Sequence, residues 1–242
     1  TQTDCLCDSL VKTNQKQKLM NILSSLSELE DVGLMWTKHE PILAYITGPA
    51  GVGRTSFSLW LAAQHTLHKR RTVLYHTPDT HAAQWWTPTL ASTMPRLSVY
   101  RDRWDTVEAV VSAVKSHSSR GIFPDIVFLD DIACFDTKSA ELLPEPLSLG
   151  LESLWRWLYA EGISLVITDY TVNHPRHKHN GQELSLDQLC GQRLMYRLAS
   201  SIVYMHTDPS YLNLKGIKNV HDKCRSARFV RYPHIGSFVP SI

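Results

Sequence analysis

The chain has 242 residues, of which 43% are hydrophobic and 20% are charged, and its formal net charge is only +2. This composition is ordinary for a globular protein, and the length suits one large α/β domain. No apolar run reaches the length of a membrane span, so no membrane association is predicted. The low net charge excludes a globally basic nucleic-acid binder, so any such contact must come from local patches.

The N-terminal region predicts a polar tail followed by an amphipathic helix. Between Lys16 and Glu30, apolar residues recur three and four positions apart, and Gly33 is expected to end the helix. We therefore divide the chain into a tail and helix at 1–40 and a core at 41–242. The helix could pack on its own domain or cover a neighbouring subunit.

Five cysteines, odd in number and widely spaced, indicate reduced thiols and thus a cytosolic or nuclear protein. Cys5 and Cys7 could form half of a zinc site. No second pair of ligands stands at a suitable spacing, so we prefer a polar terminus.

After the first helix, strands and helices alternate, which predicts a mainly parallel, doubly wound sheet. The predicted strands lie at 41–47, 72–77, 97–100, 125–131, 163–170, 201–206, 212–220 and 227–232. The predicted helices lie at 55–69, around 107–114, at 151–160 and at 186–198. The last strands are expected to form an antiparallel edge.

A glycine-rich turn between the first strand and the next helix predicts a phosphate-binding loop. The sequence GPAGVGRT follows the pattern G-x-x-x-x-G-K-[ST] except at the lysine position. Its glycines let backbone N–H groups face a phosphate, and the helix adds its positive end. The candidate nucleotide-binding residues are Gly48, Pro49, Ala50, Gly51, Val52, Gly53, Arg54, Thr55 and Ser56.

Arg54 stands where such a loop normally carries lysine. A guanidinium is a wide planar fork, whereas lysine presents a compact point charge. Misplaced charge at a transferring phosphoryl group costs on the order of 3 kcal/mol, which is roughly a hundredfold in rate. We therefore expect nucleotide binding to survive better than turnover.

Carboxylates follow two of the predicted strands. Asp130 ends the buried run that begins at Ile126, which is the position of an acid that holds Mg²⁺ together with Thr55. Asp131 could share that role or cap the next turn. Asp79 lies past the second strand, where it could orient the attacking water or simply belong to a turn.

Taken together, these segments resemble the RecA-type ATPase core of the strand-exchange recombinases. The residues that carry the resemblance are GPAGVGRTS, TVLYHTPDT, DIVFLDDIACF, ISLVITDYTVN, RLASSIVYMH and IKNVHDKCRSARFVRY, and it covers roughly residues 41–235. The resemblance implies ATP and Mg²⁺ as cofactors. It also implies a nuclear location, or a cytoplasmic one in a prokaryote.

The chain departs from the catalytic pattern of that family at three positions. It has Arg54 for lysine, Asp79 for glutamate, and Tyr170 where a γ-phosphate-sensing glutamine is expected. We also expect the residues before the core, 1–40, to be too few for the helical DNA-binding domain that precedes the core of full recombinases. The chain is thus most similar to the recombinase paralogs, accessory proteins that act on recombinase filaments as hetero-oligomers.

Two polar regions could contact single-stranded DNA. The loop at 171–182 contains Arg176 and Lys178 among three histidines, and it could instead be a solvated loop or, less readily, a metal site. The closing hairpin carries Lys218, Lys223 and Arg225 within a locally basic stretch. That stretch could line a DNA channel, reach a neighbour's nucleotide or simply be solvated. Trp85 and Trp86 could stack on bases or pack against a partner.

Three functions follow from this pattern. The first is a recombination accessory protein with weak or absent ATP hydrolysis. The second is a working DNA-dependent ATPase of the RecA, KaiC or helicase type, in which arginine substitutes adequately. The third is a structural subunit that has lost nucleotide binding.

Overall fold

A single mixed β-sheet organises the part of the chain that the computed structural model describes, which is residues 26–36, 40–78, 94–101, 104, 106–132, 145–170, 192–208, 211–220, 223–232 and 237–240. Its strands are β1 (Leu43–Gly48), β2 (Val73–His76), β3 (Leu97–Tyr100), β4 (Ile126–Leu129), β5 (Ser164–Tyr170), β6 (Ser201–Thr207), β7 (Tyr211–Asn219), β8 (Ser226–Tyr232) and β9 (Ser237–Pro240). Their order is β3-β2-β4-β5-β1-β6-β7-β8-β9.

The sheet is parallel from β3 to β6 and antiparallel from β6 to β9. This arrangement confirms the predicted fold class, including the antiparallel C-terminal edge. Strand β1 lies between β5 and β6 and all six of its residues are buried, as its apolar sequence requires. The short edge strand β9 was not among the predicted strands.

Helices cover both faces of the sheet. The described helices are α1 (Arg54–Lys69), α2 (Val107–Ser118), α3 (Glu145–Ala160) and α4 (Gln192–Leu198). Helix α1 packs in the apolar cluster on one face, whereas α2, α3 and α4 contribute to the cluster on the other. No helix within the described ranges is long and apolar enough to cross a bilayer.

The end of the N-terminal helix packs on its own domain. Its described part is helical from residue 26 to 31, and Gly33 follows it with a φ of +75°. Leu29, Val32 and Leu34 are then completely buried in the same cluster as α1. Of the two arrangements that the sequence allowed for this helix, residues 26–36 therefore adopt the intramolecular one.

A buried histidine and an arginine fix this segment to the end of α1. His65 Nε2 lies 3.0 Å from the carbonyl oxygen of Leu34, and Arg71 Nη2 donates to the carbonyl oxygen of Trp36 at 2.9 Å. The Arg71 guanidinium also lies 4.8 Å from the centre of the Trp36 ring. Because a carbonyl oxygen can only accept, the neutral His65 carries its proton on Nε2.

Candidate functional site

The glycine-rich segment lies between the carboxyl end of a central strand and the start of α1, as the sequence predicted. Gly51 and Gly53 adopt φ values of +77° and +90°, which favour glycine. Gly53 is the N-cap residue of α1, and no side chain caps that helix end. The first backbone N–H groups of α1 are therefore available to an anionic ligand.

The space around the loop is open at one glycine and closed at another. A methyl group added to Gly51 would meet no atom within 4 Å. At Gly48, by contrast, it would approach the backbone oxygen of Met205 to 2.5 Å, because β6 runs directly beside the end of β1. Gly48 thus permits close packing of the sheet, while Gly51 borders an open cradle.

Arg54 folds back onto its own loop. Its Nη1 donates to the carbonyl oxygen of Gly48 and lies 3.5 Å from that of Pro49. Its Nη2 lies 3.6 Å from Asp131 Oδ2. Asp131, which follows the end of β4 by two residues, therefore pairs with the loop arginine.

Asp130 is buried in a cage of hydroxyl groups. Tyr75 donates to Asp130 Oδ2 at 2.8 Å and Thr168 donates to Oδ1, while Thr55 and Thr77 also hydrogen-bond the carboxyl group. Burial raises the pKa of the Asp130 carboxyl above its ordinary value, and these four hydrogen bonds act in the opposite direction. The side chain is only 1% exposed.

The hydroxyl of Tyr75 joins this cage to α1. It donates to Asp130 and lies 2.7 Å from the Ser58 hydroxyl, which donates to the carbonyl oxygen of Thr55 at 3.1 Å. Sequence reasoning missed Tyr75 and Thr168, although both belong to predicted strands. Their only signal was a polar group in an otherwise apolar run.

The site fits a nucleotide with Mg²⁺ by the chemistry of its residues. Thr55 and Asp130 supply a hydroxyl and a carboxylate, which are oxygen ligands of the kind that Mg²⁺ prefers, and they are already linked by a hydrogen bond. A cation beside Asp130 would offset the unfavourable burial of its charge. Gly51, Gly53 and the N-terminus of α1 would hold phosphate groups.

Of the two predicted catalytic residues, the structure describes only the backbone of Tyr170. Asp79 lies outside the described residues. The backbone of Tyr170 ends β5 and is paired with Gly48, so this position lies beside the phosphate loop. One residue earlier, the buried Asp169 accepts a hydrogen bond from Tyr45 at 2.6 Å.

Of the five predicted DNA-binding residues, Arg176 and Lys178 lie outside the described residues. Lys218 pairs in the sheet with Ile202, near the start of β6, and its Nζ donates to the carbonyl oxygen of Tyr196 at 2.6 Å. The phosphate loop follows the opposite end of the parallel strand β1. Lys218 and the loop therefore lie at opposite ends of the strands.

The remaining two basic residues differ in their contacts. Arg225 donates to Asp31 at 2.8 Å and so joins the hairpin to the docked N-terminal segment. Lys223 is exposed to solvent. Neither arrangement brings these side chains to the phosphate loop, and their role toward DNA stays a prediction.

Comparison with solved structures identifies the fold. One solved structure, of an ATPase domain, superposes with a TM-score of 0.69 at 12% identity, covering 96% of this chain and 97% of that one. A DnaB-like replicative helicase, from a structure that includes its interactions with primase, gives 0.67 at 12% identity. That match covers 88% of this chain, which spans 62% of the helicase chain.

A KaiC-like protein, PH0186 of the hyperthermophilic archaeon Pyrococcus horikoshii OT3, gives a TM-score of 0.60 at 10% identity, covering 88% of this chain and 94% of that one. Neither the family models nor the curated proteins include a match to this sequence. The chain therefore has a RecA-like P-loop ATPase fold, which at these identities is a statement about fold alone.

Proposed function

We propose that this chain is an accessory protein of homologous recombination and DNA repair, of the recombinase-paralog type. In this proposal it binds ATP with Mg²⁺ at the phosphate loop and hydrolyses it slowly or not at all. It acts in the nucleus, or in the cytoplasm of a prokaryote, in a hetero-oligomer with a recombinase or another paralog, and it contacts single-stranded DNA.

The position of Arg54 carries the proposal. Its guanidinium is held by a loop carbonyl and lies beside Asp131, whereas hydrolysis needs a cation free to follow the charge on the transferring phosphoryl group. Asp79 is shorter than the glutamate that usually orients the attacking water, and Tyr170 replaces an amide with a phenol. These three differences impair turnover more than binding.

Nucleotide binding rests on different parts of the same site. The cradle needs backbone N–H groups and glycine conformations, and both are retained at Gly51 and Gly53. Bound Mg²⁺ would neutralise phosphate charge next to Thr55 and Asp130. A protein with these properties can respond to ATP as a ligand without consuming it rapidly.

A second candidate is an active DNA-dependent ATPase, and the structural comparisons are compatible with it. The solved ATPase domain and the DnaB-like replicative helicase both share this fold. In this alternative, arginine replaces lysine without a large loss of rate. Phosphate release at ordinary rates, stimulated by single-stranded DNA, would support it over the accessory role.

The variant Arg54→Lys separates the two candidates. A single positioned group is worth about a hundredfold in rate when the rest of the catalytic site is intact. If several catalytic positions have changed together, restoring lysine alone should raise the rate of ATP hydrolysis by less than about tenfold. Single-turnover phosphate release from the full chain measures this. Restoration of fast hydrolysis by this one change would contradict the proposed impairment at several positions.

The accessory role itself is tested by co-purification from the source organism. We expect a recombinase or a recombinase paralog to be retained, and the purified complex to increase strand exchange by that recombinase. Retention of replication proteins instead, together with unwinding of a forked duplex, would favour the helicase-like alternative.

A further inference from the structure

Asp131, the residue after the buried Asp130, is the acidic partner of Arg54. Asp131 Oδ2 lies 3.6 Å from Arg54 Nη2. The Arg54 and Asp131 side chains are 13% and 26% exposed, so water screens this pair only in part. The contact links the phosphate loop to the end of β4.

The shape of the guanidinium makes this link possible. Its two terminal nitrogens lie on different partners, since Nη1 donates to the carbonyl oxygen of Gly48 and Nη2 faces Asp131. A lysine ammonium concentrates its charge at one atom and spans two such partners less readily. Arg54 is thus held in place by the protein itself.

The phosphate groups of a nucleotide and the carboxylate of Asp131 are similar partners for a guanidinium. Both are oxyanions, and both suit the planar fork of arginine. When phosphate enters the loop, Arg54 must either remain with Asp131 or turn toward the phosphate oxygens. If it turns, the contact between Arg54 and Asp131 is broken, and the Asp131 carboxylate lies near further negative charge.

We propose that Asp131 regulates nucleotide affinity by competing with the phosphate groups for Arg54. This inference rests on the proposed nucleotide binding and gives Asp131 a positioning role, because it acts through Arg54. The acid lowers the affinity for nucleotide in the free chain. A partner that draws Asp131 away from Arg54 would raise that affinity.

The test measures the dissociation constant of a fluorescent ATP analogue with the full chain. We expect Asp131→Asn to bind about tenfold more tightly than the wild type, which corresponds to about 1.4 kcal/mol. Asp131→Glu retains the negative charge and should bind within about threefold of the wild type. Thermal melts without nucleotide establish that each variant is folded.

A double-mutant cycle with Arg54→Ala distinguishes competition from simple repulsion. If Asp131 acts through Arg54, the gain from Asp131→Asn disappears in the Arg54→Ala background. An unchanged affinity of Asp131→Asn, or an equal gain in both backgrounds, overturns the inference while leaving nucleotide binding established. Absence of saturable binding by every variant and by the wild type instead overturns the proposed function and, with it, this inference.

Discussion

We expect the Tyr75→Phe variant to lose about 2 kcal/mol of its free energy of unfolding, because it removes a donor to the buried Asp130 carboxyl and an unsatisfied buried polar group costs about 1 to 3 kcal/mol. The lost hydroxyl donates to the buried Asp130 at 2.8 Å and lies 2.7 Å from the Ser58 hydroxyl. Phenylalanine fills the same volume, so no cavity contributes to the loss. Urea denaturation should show a lower midpoint at an unchanged slope.

Tyr45→Phe is the matched control for this variant. Tyr45 is also fully buried, and its hydroxyl donates to Asp169 at 2.6 Å in the neighbouring strand. Both variants should lose stability, but Tyr75→Phe alone should alter the Mg²⁺ dependence of nucleotide binding, because the Tyr75 hydroxyl donates to Asp130 whereas the Tyr45 hydroxyl donates to Asp169. An unchanged stability of Tyr75→Phe would contradict the proposed importance of the hydroxyl cage.

The second large effect is an acid-induced loss of stability that depends on His65. Burial is the main cause that lowers the pKa of His65 to about 3, and the Arg71 guanidinium lowers it further. In the unfolded chain an ordinary histidine titrates near 6.5. Between these two pKa values, His65 is protonated in the unfolded chain but neutral in the folded chain. The free energy of unfolding therefore falls as the pH decreases.

The expected size follows from the difference between the two pKa values. Each pH unit below 6.5 costs about 1.4 kcal/mol, so the loss at pH 5 relative to pH 7 is about 2 kcal/mol from this residue. It stops growing near pH 3, where the folded state also takes up the proton. Chemical denaturation across this pH range measures the dependence.

His65→Gln isolates the contribution of this one group. Its side-chain amide can donate to the carbonyl oxygen of Leu34 in place of Nε2, but it does not titrate. Its stability should therefore decline less steeply than that of the wild type between pH 6.5 and 5. All other histidines are common to both proteins. Parallel pH profiles would show that His65 is not the group responsible.

The sequence predicted the glycine turn before α1 and the sheet class because their signals are local. A glycine turn between an apolar strand and a helix spans only about twenty residues, and buried parallel strands appear as apolar runs. Strand β9 was missed because four residues that end in proline give little periodicity. The order of the strands could not be read from the sequence, since it depends on long-range pairing.

The hydroxyl cage illustrates what the sequence could not provide. Tyr75 belongs to β2 and Thr168 to β5, and both reach Asp130 because the register of the sheet aligns them, whereas Thr55 reaches it from the start of α1. Alone, each reads as an ordinary strand or helix residue. The same reason applies to Arg225, whose partner Asp31 is 194 positions away.

The most direct test of this account is titration of the full chain with a fluorescent ATP analogue in three forms: wild type, Gly51→Ala and Gly121→Ala. Both glycines have a φ of +77° and open surroundings, so the two substitutions impose the same backbone strain. We expect saturable binding below millimolar nucleotide by the wild type and by Gly121→Ala, and at least about tenfold weaker binding by Gly51→Ala. No saturable binding by the wild type, or equal affinities of the two variants, would contradict a phosphate site at this loop.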